Sequence, residues 1–310
     1  MKFFVGVTDY DWYQQLMLDQ ASEVNFWLPS PNVGFKYLEP GQPFLFKLHS
    51  PRNYIVGGGY FAGYSAIPVS MAWEAFGRNN GVPDRQALLT RITKYRDGDK
   101  SNPDPDIGCI ILTDPFYFDE RDWIPQPSDW SSNIVRGKGY SMHMGVGKEV
   151  WNSVQIRLAE QQAHGLAIPD QVGEMESVYG KSYLQKARLG QGAFRVLTLQ
   201  NYSEKCCLTG ESTVPVLQAA HIQAVHKDGN HQLQNGLLMR ADMHILFDRG
   251  LIGVDADYNI RVSPQIREHY LNGKVYYEHD GQPLRSLPKD KGLRPDRDLL
   301  DLRMKEFFVA

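Results

Sequence analysis

The stretch of residues 214–250 constrains the fold more than any other part of the sequence. One apolar segment ends at His221 and a second follows Asn235, and such short apolar runs predict β-strands. Asp242 can cap the N-terminus of a helix, and Gly250 is typical of a helix end. The predicted elements are a strand or extended segment over Val214–Ile222, a short strand over Gly236–Arg240 and a helix from Met243 to about Arg249.

Polar side chains stand at the ends of these predicted elements. His244 and Asp248 are four residues apart, so on a helix they share one face. A histidine and a carboxylate there can hold one divalent cation, while His221 on the neighbouring strand can take a proton from water. An isolated His-x-x-x-Asp pair is more often a surface ion pair, but here it follows a strand-ending histidine and the Asn235-Gly236 strand start. The joint pattern is the set of groups needed to hydrolyse a phosphodiester.

This region resembles the HNH endonucleases with a ββα-metal active site. The motifs that carry the resemblance are CCLTGESTVPVLQAAHIQAV and NGLLMRADMHILFDRGLIGV, and the similar region covers residues 179–260. The resemblance implies that His221 is the general base, that Asn235 fixes the loop that carries it, and that His244 is a metal ligand. Asp248 matches the position where some relatives have a second helical ligand. The implied cofactor is a divalent metal ion, Mg²⁺ or Mn²⁺.

The sequence departs from the HNH pattern at two places. Many members have an aspartate or histidine ligand just before the catalytic histidine, where this chain has Ala220. Many members also have paired cysteines that hold a structural zinc ion, whereas only the adjacent Cys206 and Cys207 occur near this region. We therefore predict no structural zinc, and we interpret the two cysteines as small buried residues.

Length and composition indicate a folded chain of two domains. A length of 310 residues favours two domains, and 42% hydrophobic with 22% charged residues excludes a mostly disordered chain. Gly, Pro and acidic residues without a clear period predict a linker after residue 164, so we expect domains over residues 1–165 and 166–310. Three cysteines and the lack of a long apolar run predict a cytoplasmic protein that does not enter the membrane.

The N-terminal region has the composition of a β-rich domain with interspersed helices. Its motifs, KFFVGVTDYDW, then NFWLPSP, then LEPGQPFLFKLHSPRNYIVGGGYF, are similar in order to those of the EVE domains of the PUA-like superfamily. The resemblance covers residues 1–68, and more loosely the chain to residue 150. It implies an α+β protein in which a PUA-like β-barrel with flanking helices precedes the ββα-metal domain.

The same resemblance implies an aromatic pocket for a modified base, in which Trp27 matches the pocket tryptophan. A flat indole at a strand end can stack on a base that has been flipped out of a duplex. Aromatic residues within strands belong more often to the core, and that alternative stays open for each of them. The residues predicted to form the pocket are Tyr10, Trp12, Trp27, Ser30 and Asn32.

The net charge of −3 argues against a protein that coats nucleic acid non-specifically. Phosphate contacts must then be concentrated in a few places, and we predict them at Arg188, Arg195 and Arg240, in and beside the HNH-like region.

These features together predict a modification-dependent restriction endonuclease. The first domain would flip and read a modified base of double-stranded DNA, 5-methylcytosine or 5-hydroxymethylcytosine, and the second would cut nearby. One ββα site cuts one strand, so a duplex break needs two copies or two encounters, and a homodimer is one of these routes. Two alternatives remain: a reader that no longer cuts because Ala220 supplies no ligand, and an HNH enzyme that acts on RNA or unmodified DNA.

Overall fold

A computed structural model describes residues 1–31, 34–96, 101–163, 189–224 and 230–307. The chain forms two compact units, residues 1–184 and 185–310. The division between them lies outside the described ranges, as does the linker expected after residue 164, and the predicted boundary at residues 165 and 166 stays a prediction. Both units mix helices and strands, as the α+β class requires. Within the described ranges, no helix is both long and apolar enough to cross a membrane.

The first unit is built around strands with buried aromatic residues. Its strands are β1 (Lys2–Thr8), β2 (Glu23–Leu28), β3 (Pro43–Leu48), β4 (Tyr54–Pro68), β5 (Asp106–Tyr117), β6 (Ile124–Pro125) and β7 (Gly137–Ser141). Its helices are α1 (Tyr10–Leu18), α2 (Val69–Phe76), α3 (Arg85–Tyr95) and α4 (Gly145–Ala163). Phe3, Phe44 and Phe46 are fully buried, so the apolar strands of the sequence form the core of this unit.

These strands pair into one open sheet in the order β2-β5-β4-β3-β1-β7, with β6 paired to β4. β1 and β3 run parallel, and the other neighbours are antiparallel. A closed barrel requires the two end strands to pair, and among the described residues β2 and β7 do not. The predicted closed β-barrel is therefore not found. Instead β4 shifts register beside Gly58, where an added Cβ would lie 2.7 Å from the carbonyl oxygen of Phe44.

The second unit contains two small antiparallel sheets and short helices. Its strands are β8 (Leu217–His221), β9 (Gly236–Arg240), β10 (Ile252–Val254) and β11 (Ile260–Val262). Its helices are α5 (Gln191–Asn201), α6 (Ala241–Asp248), α7 (Gln265–Tyr270), α8 (Lys274–Tyr277) and α9 (Arg297–Phe307). β8 pairs with β9 and β10 pairs with β11. The order β8, β9, α6 is the predicted strand-strand-helix unit.

Two details of that prediction are wrong. The first strand begins only at Leu217, because the residues before it form a 3₁₀ turn at Pro215, whose nitrogen has no hydrogen to donate to a neighbouring strand. Asp242 does not cap α6, because its carboxylate accepts two hydrogen bonds from the guanidinium of Arg240, at 2.6 and 2.8 Å. Gly250 does follow the helix end, with the left-handed φ of 68° that favours glycine.

Candidate functional site

Asn235 closes the base of the loop between β8 and β9. Its side chain is almost fully buried, with 1% exposure, and all of its polar groups are paired. Its Nδ2 donates to the carbonyl oxygens of Gln223 and Asn230 at 2.9 and 2.8 Å, and its Oδ1 accepts from the Gln223 N–H at 2.8 Å. Its own carbonyl accepts from the Ile222 N–H at 2.9 Å. One side chain therefore holds both ends of the loop that follows His221.

His221 lies at the end of β8, opposite Gly236 in the strand register. Its ring stacks on Phe194 of α5, with the ring centres 4.1 Å apart and the planes inclined by 13°. Its Nε2 is 3.0 Å from Nδ1 of His231. Burial, followed by the nearby His231 and His244, lowers the pKa of His221 to about 4. The imidazole is consequently neutral near pH 7 and has a lone pair that can accept a proton.

His244 and Asp248 lie one turn apart on α6, as the sequence spacing predicts. His244 Nε2 is 3.3 Å from Oδ2 of Asp248, and its Nδ1 is 2.8 Å from Oε1 of Gln218 on β8. Because an amide oxygen only accepts hydrogen bonds, this contact places the His244 proton on Nδ1 and the lone pair on Nε2. Burial lowers the pKa of His244, and the charge of Asp248 acts against that shift. A neutral nitrogen lone pair thus faces a carboxylate oxygen.

This donor pair fits a divalent cation. A lone pair and a carboxylate that face each other at 3.3 Å repel unless a proton or a metal ion lies between them. Ala220, which is fully buried, supplies no ligand, and the described part of the chain contains no cluster of three His, Cys, Asp or Glu side chains suited to a metal. Mg²⁺ commonly uses few protein ligands and completes its shell with waters and substrate phosphate oxygens. His244 and Asp248 are therefore the residues that would hold it.

Cys206 and Cys207 pack and make hydrogen bonds in the interior of the second unit. Cys206 and Cys207 are both fully buried. The Cys206 sulfur accepts the N–H groups of Thr209 and Arg240 at 3.4 and 3.3 Å, which joins the start of this region to the end of β9. Burial raises the pKa of the Cys207 thiol well above its usual range, so that residue stays protonated.

The predicted phosphate contacts have different surroundings. Arg240 is half-buried and forms the bidentate pair with Asp242, so a phosphate would have to compete with that carboxylate. Arg195 is a half-buried residue of α5. Arg188 lies outside the described residues, and these three contacts stay predictions.

The predicted base pocket coincides in part with a cavity of about 350 Å³ in the first unit. Trp12 and Trp27 line it, whereas Tyr10 and Ser30 do not, and Asn32 lies outside the described residues. Trp12 is 3% exposed and packs edge-on against two phenylalanines, so it is mainly a core residue. Trp27 is half-buried, and its Nε1 donates to the carbonyl oxygen of Asn80 at 3.1 Å.

Polar side chains that were not predicted complete the wall of this cavity. Asp9 lies between His49 and Tyr95, with its carboxylate oxygens 3.7 Å from His49 Nε2 and 3.4 Å from the Tyr95 hydroxyl. Arg136 also lines the cavity. These residues come from four separate chain segments, and neither strand alternation nor helix spacing relates them. Only the folded sheet brings them together.

Comparison with known proteins identifies the strand-strand-helix region. Residues 206–255 match the family model of the HNH endonucleases, and the chain therefore carries an HNH endonuclease domain over these residues. The match includes His221, Asn235, His244 and Asp248. It supports a nuclease as the class of protein. A search among curated proteins finds no match to this chain.

Two solved structures of an ASCH protein from Zymomonas mobilis are similar to part of the chain. A point mutant of that protein matches with 10% identity and a TM-score of 0.33, over 49% of this chain and 98% of that chain. The other structure matches with 10% identity and a TM-score of 0.31, over 48% of this chain and 94% of that chain.

Proposed function

We propose that this protein is a modification-dependent DNA endonuclease. The observation that carries the proposal is the arrangement of His221, Asn235, His244 and Asp248 inside residues 206–255, the range that matches the HNH endonucleases. A neutral histidine, a fixed loop and a cation-binding pair are the groups that hydrolysis of a phosphodiester requires.

The chemistry follows from the protonation states of these side chains. His221 takes a proton from a water molecule on a ring nitrogen, and the water oxygen attacks phosphorus. The bond between phosphorus and the leaving oxygen breaks, and that oxygen takes a proton from solvent. Asn235 keeps the loop after His221 in place. A divalent ion on His244 and Asp248 would supply positive charge for the phosphate and the leaving oxygen.

We propose that the cavity of the first unit binds the flipped modified base. Its volume of about 350 Å³ is at the lower end of the range of small-ligand sites, which suits one flat base. Trp27 offers an indole for stacking, and the Asp9 carboxylate can accept a hydrogen bond from the exocyclic amine of a cytosine. Flipping a base costs a few kcal/mol, which stacking and such hydrogen bonds must offset. We propose 5-methylcytosine or 5-hydroxymethylcytosine in double-stranded DNA as the target.

A protein that reads modified DNA without cutting it is the second candidate. Two observations support this candidate. Ala220, the residue before His221, supplies no metal ligand. On α6, His244 and Asp248 offer only two donors to a metal ion. Such a protein would bind modified DNA through the same cavity, and it would leave the phosphodiester intact with every metal ion.

One plasmid in three forms tests the proposal. Unmodified, cytosine-methylated and hydroxymethylated plasmid is incubated with Mg²⁺, with Mn²⁺ or with a chelator, and a His221→Ala preparation serves as the control for contaminating nucleases. We expect metal-dependent cutting of at least one modified form. Equal cutting of all three forms would remove the modification dependence, and binding without cutting would favour the second candidate.

A further inference from the structure

His231 contacts His221 in a way that no sequence motif indicates. The two rings meet edge to face, with centres 5.0 Å apart and Nε2 of His221 3.0 Å from Nδ1 of His231. Phe194 packs against both rings, at 4.1 Å from His221 and 5.8 Å from His231. The aromatic contacts and the hydrogen bond together fix the orientation of the His221 ring.

Either His221 or His231 can donate the hydrogen bond between them, and the choice decides whether His221 keeps a free lone pair. If His221 donates from Nε2, its Nδ1 holds a lone pair and can accept a proton. If His231 donates from Nδ1, the proton of neutral His221 lies on Nδ1, and neither of its nitrogens has a lone pair left for water. The direction of one hydrogen bond therefore decides whether His221 can be a base.

We propose that His231 is a positioning residue that accepts the Nε2–H of His221 and so keeps the lone pair on Nδ1 of His221. This inference rests on the proposed nuclease function. In this arrangement both neutral rings carry their proton on Nε2. When His221 takes the proton of the attacking water on Nδ1, its Nε2–H stays bonded to His231. The bond then becomes charge-assisted, which stabilises the imidazolium.

The surroundings of His231 suit an acceptor. It is half-buried, and burial lowers its pKa, so the ring is neutral near pH 7 and keeps one lone pair. It lies outside the pair His244 and Asp248 that would hold a metal ion. A loss of His231 should accordingly change the reaction rate without changing metal affinity.

Two replacements of His231 separate acceptance of the hydrogen bond from packing. His231→Phe keeps an aromatic ring against Phe194 and removes the acceptor, whereas His231→Gln keeps an acceptor and removes the ring. Since a general base contributes roughly 10²–10⁴-fold, we expect His231→Phe to slow single-turnover cleavage by about tenfold to a hundredfold. His231→Gln should recover most of that rate. His269→Phe, at an exposed histidine of α7, is the matched control and should leave the rate unchanged.

Nitrogen NMR of the histidine side chains reports the tautomer directly. In the wild-type protein, the His221 signals should show a protonated Nε2 and an unprotonated Nδ1. In His231→Phe the proton should redistribute between the two nitrogens, and in His231→Gln it should stay on Nε2. Titration with Mn²⁺ should give the same affinity for all variants.

The outcomes are distinct. A His231→Phe protein that cuts as fast as His231→Gln, or wild-type His221 with its proton on Nδ1, would overturn the inference. A wild-type protein that cuts no nucleic acid would overturn the proposed nuclease function instead. In that case the NMR signals still decide whether His231 fixes the His221 tautomer.

Discussion

His221 is the residue on which the proposed chemistry depends most directly. We expect His221→Ala to lower single-turnover cleavage by roughly 10²–10⁴-fold, because it removes the proton acceptor. DNA affinity should stay the same, since a base is needed in the reaction and not for binding. Cleavage and equilibrium binding measured on one preparation check both statements, and near-normal cutting would remove His221 from this role.

Asn235 should matter for stability as well as for activity. Asn235→Ala removes three hydrogen bonds made by a buried side chain, and a typical hydrogen bond contributes about 0.5–1.5 kcal/mol to stability. We expect a lower thermal midpoint together with slower cleavage. Asn259→Ala is the matched control, because within the described ranges the Asn259 side-chain amide makes one long bond, of 3.5 Å, to Asp255. Equal midpoints for the two variants would contradict the role of Asn235.

The sequence predicts some site residues and misses others for a clear reason. His221, Asn235 and His244 follow one another with a fixed order and spacing, and the structure places them around one strand-strand-helix unit. His231 follows no strand or helix period, since it lies in the loop between β8 and β9. Gln218 is an ordinary exposed strand residue until α6 places His244 beside it. Such contacts depend on the packing of elements.

At the scale of the element, α6 is the expected metal-binding helix. His244→Ala should reduce Mn²⁺ affinity and cleavage together, because it removes the nitrogen ligand. Asp248→Asn should reduce both by a comparable or smaller amount if the carboxylate is a direct ligand. Isothermal titration with Mn²⁺ measures the affinities. Asp257→Asn, at an exposed acid of the same unit, is the control. Unchanged affinity in Asp248→Asn would leave that residue as a solvated acid at a helix end.

The two units differ in how much of their architecture the sequence predicts. The strand-strand-helix unit is local, and short apolar runs with a glycine stop suffice to predict its order. The sheet of the first unit depends on pairings between distant segments, such as the parallel pair of β1 and β3. Strand signals do not specify which edges meet, and the β-barrel that the family resemblance implies is not found, because β2 and β7 do not pair among the described residues.

At the scale of the whole molecule, Trp27 tests whether the first unit selects the DNA that the second unit cuts. Stacking on a base is worth roughly 1–3 kcal/mol, so Trp27→Ala should reduce the preference for modified DNA by about tenfold or more. Affinity for unmodified DNA should change little, because backbone contacts supply it. Trp12→Ala, at a buried position, should instead cost about 3–5 kcal/mol of stability. Melting temperatures and both affinities are measured for each variant. A well-folded Trp27→Ala protein with full preference would disprove the pocket assignment.

Cleavage of both DNA strands depends on how many copies of the whole molecule act together. A single site of this kind cuts one strand, so nicked plasmid should form before linear plasmid. If two copies must cooperate, the ratio of linear to nicked product, compared at equal consumption of the supercoiled plasmid, should rise with protein concentration. A time course at several concentrations, resolved on a gel, measures this ratio. A ratio that does not depend on concentration would indicate two independent encounters.

The hydrogen bonds of the Asn235 side chain affect how long the loop after His221 can be. Because one side chain bonds to both Gln223 and Asn230, it holds these two residues close together, and they close a loop in the chain. The entropy cost of closing such a loop rises by only about 0.6 kcal/mol for each doubling of its length. Extra residues inserted between Gln223 and Asn230 should therefore be tolerated without moving His221. This loop is consequently a suitable place to insert a peptide tag or a reporter.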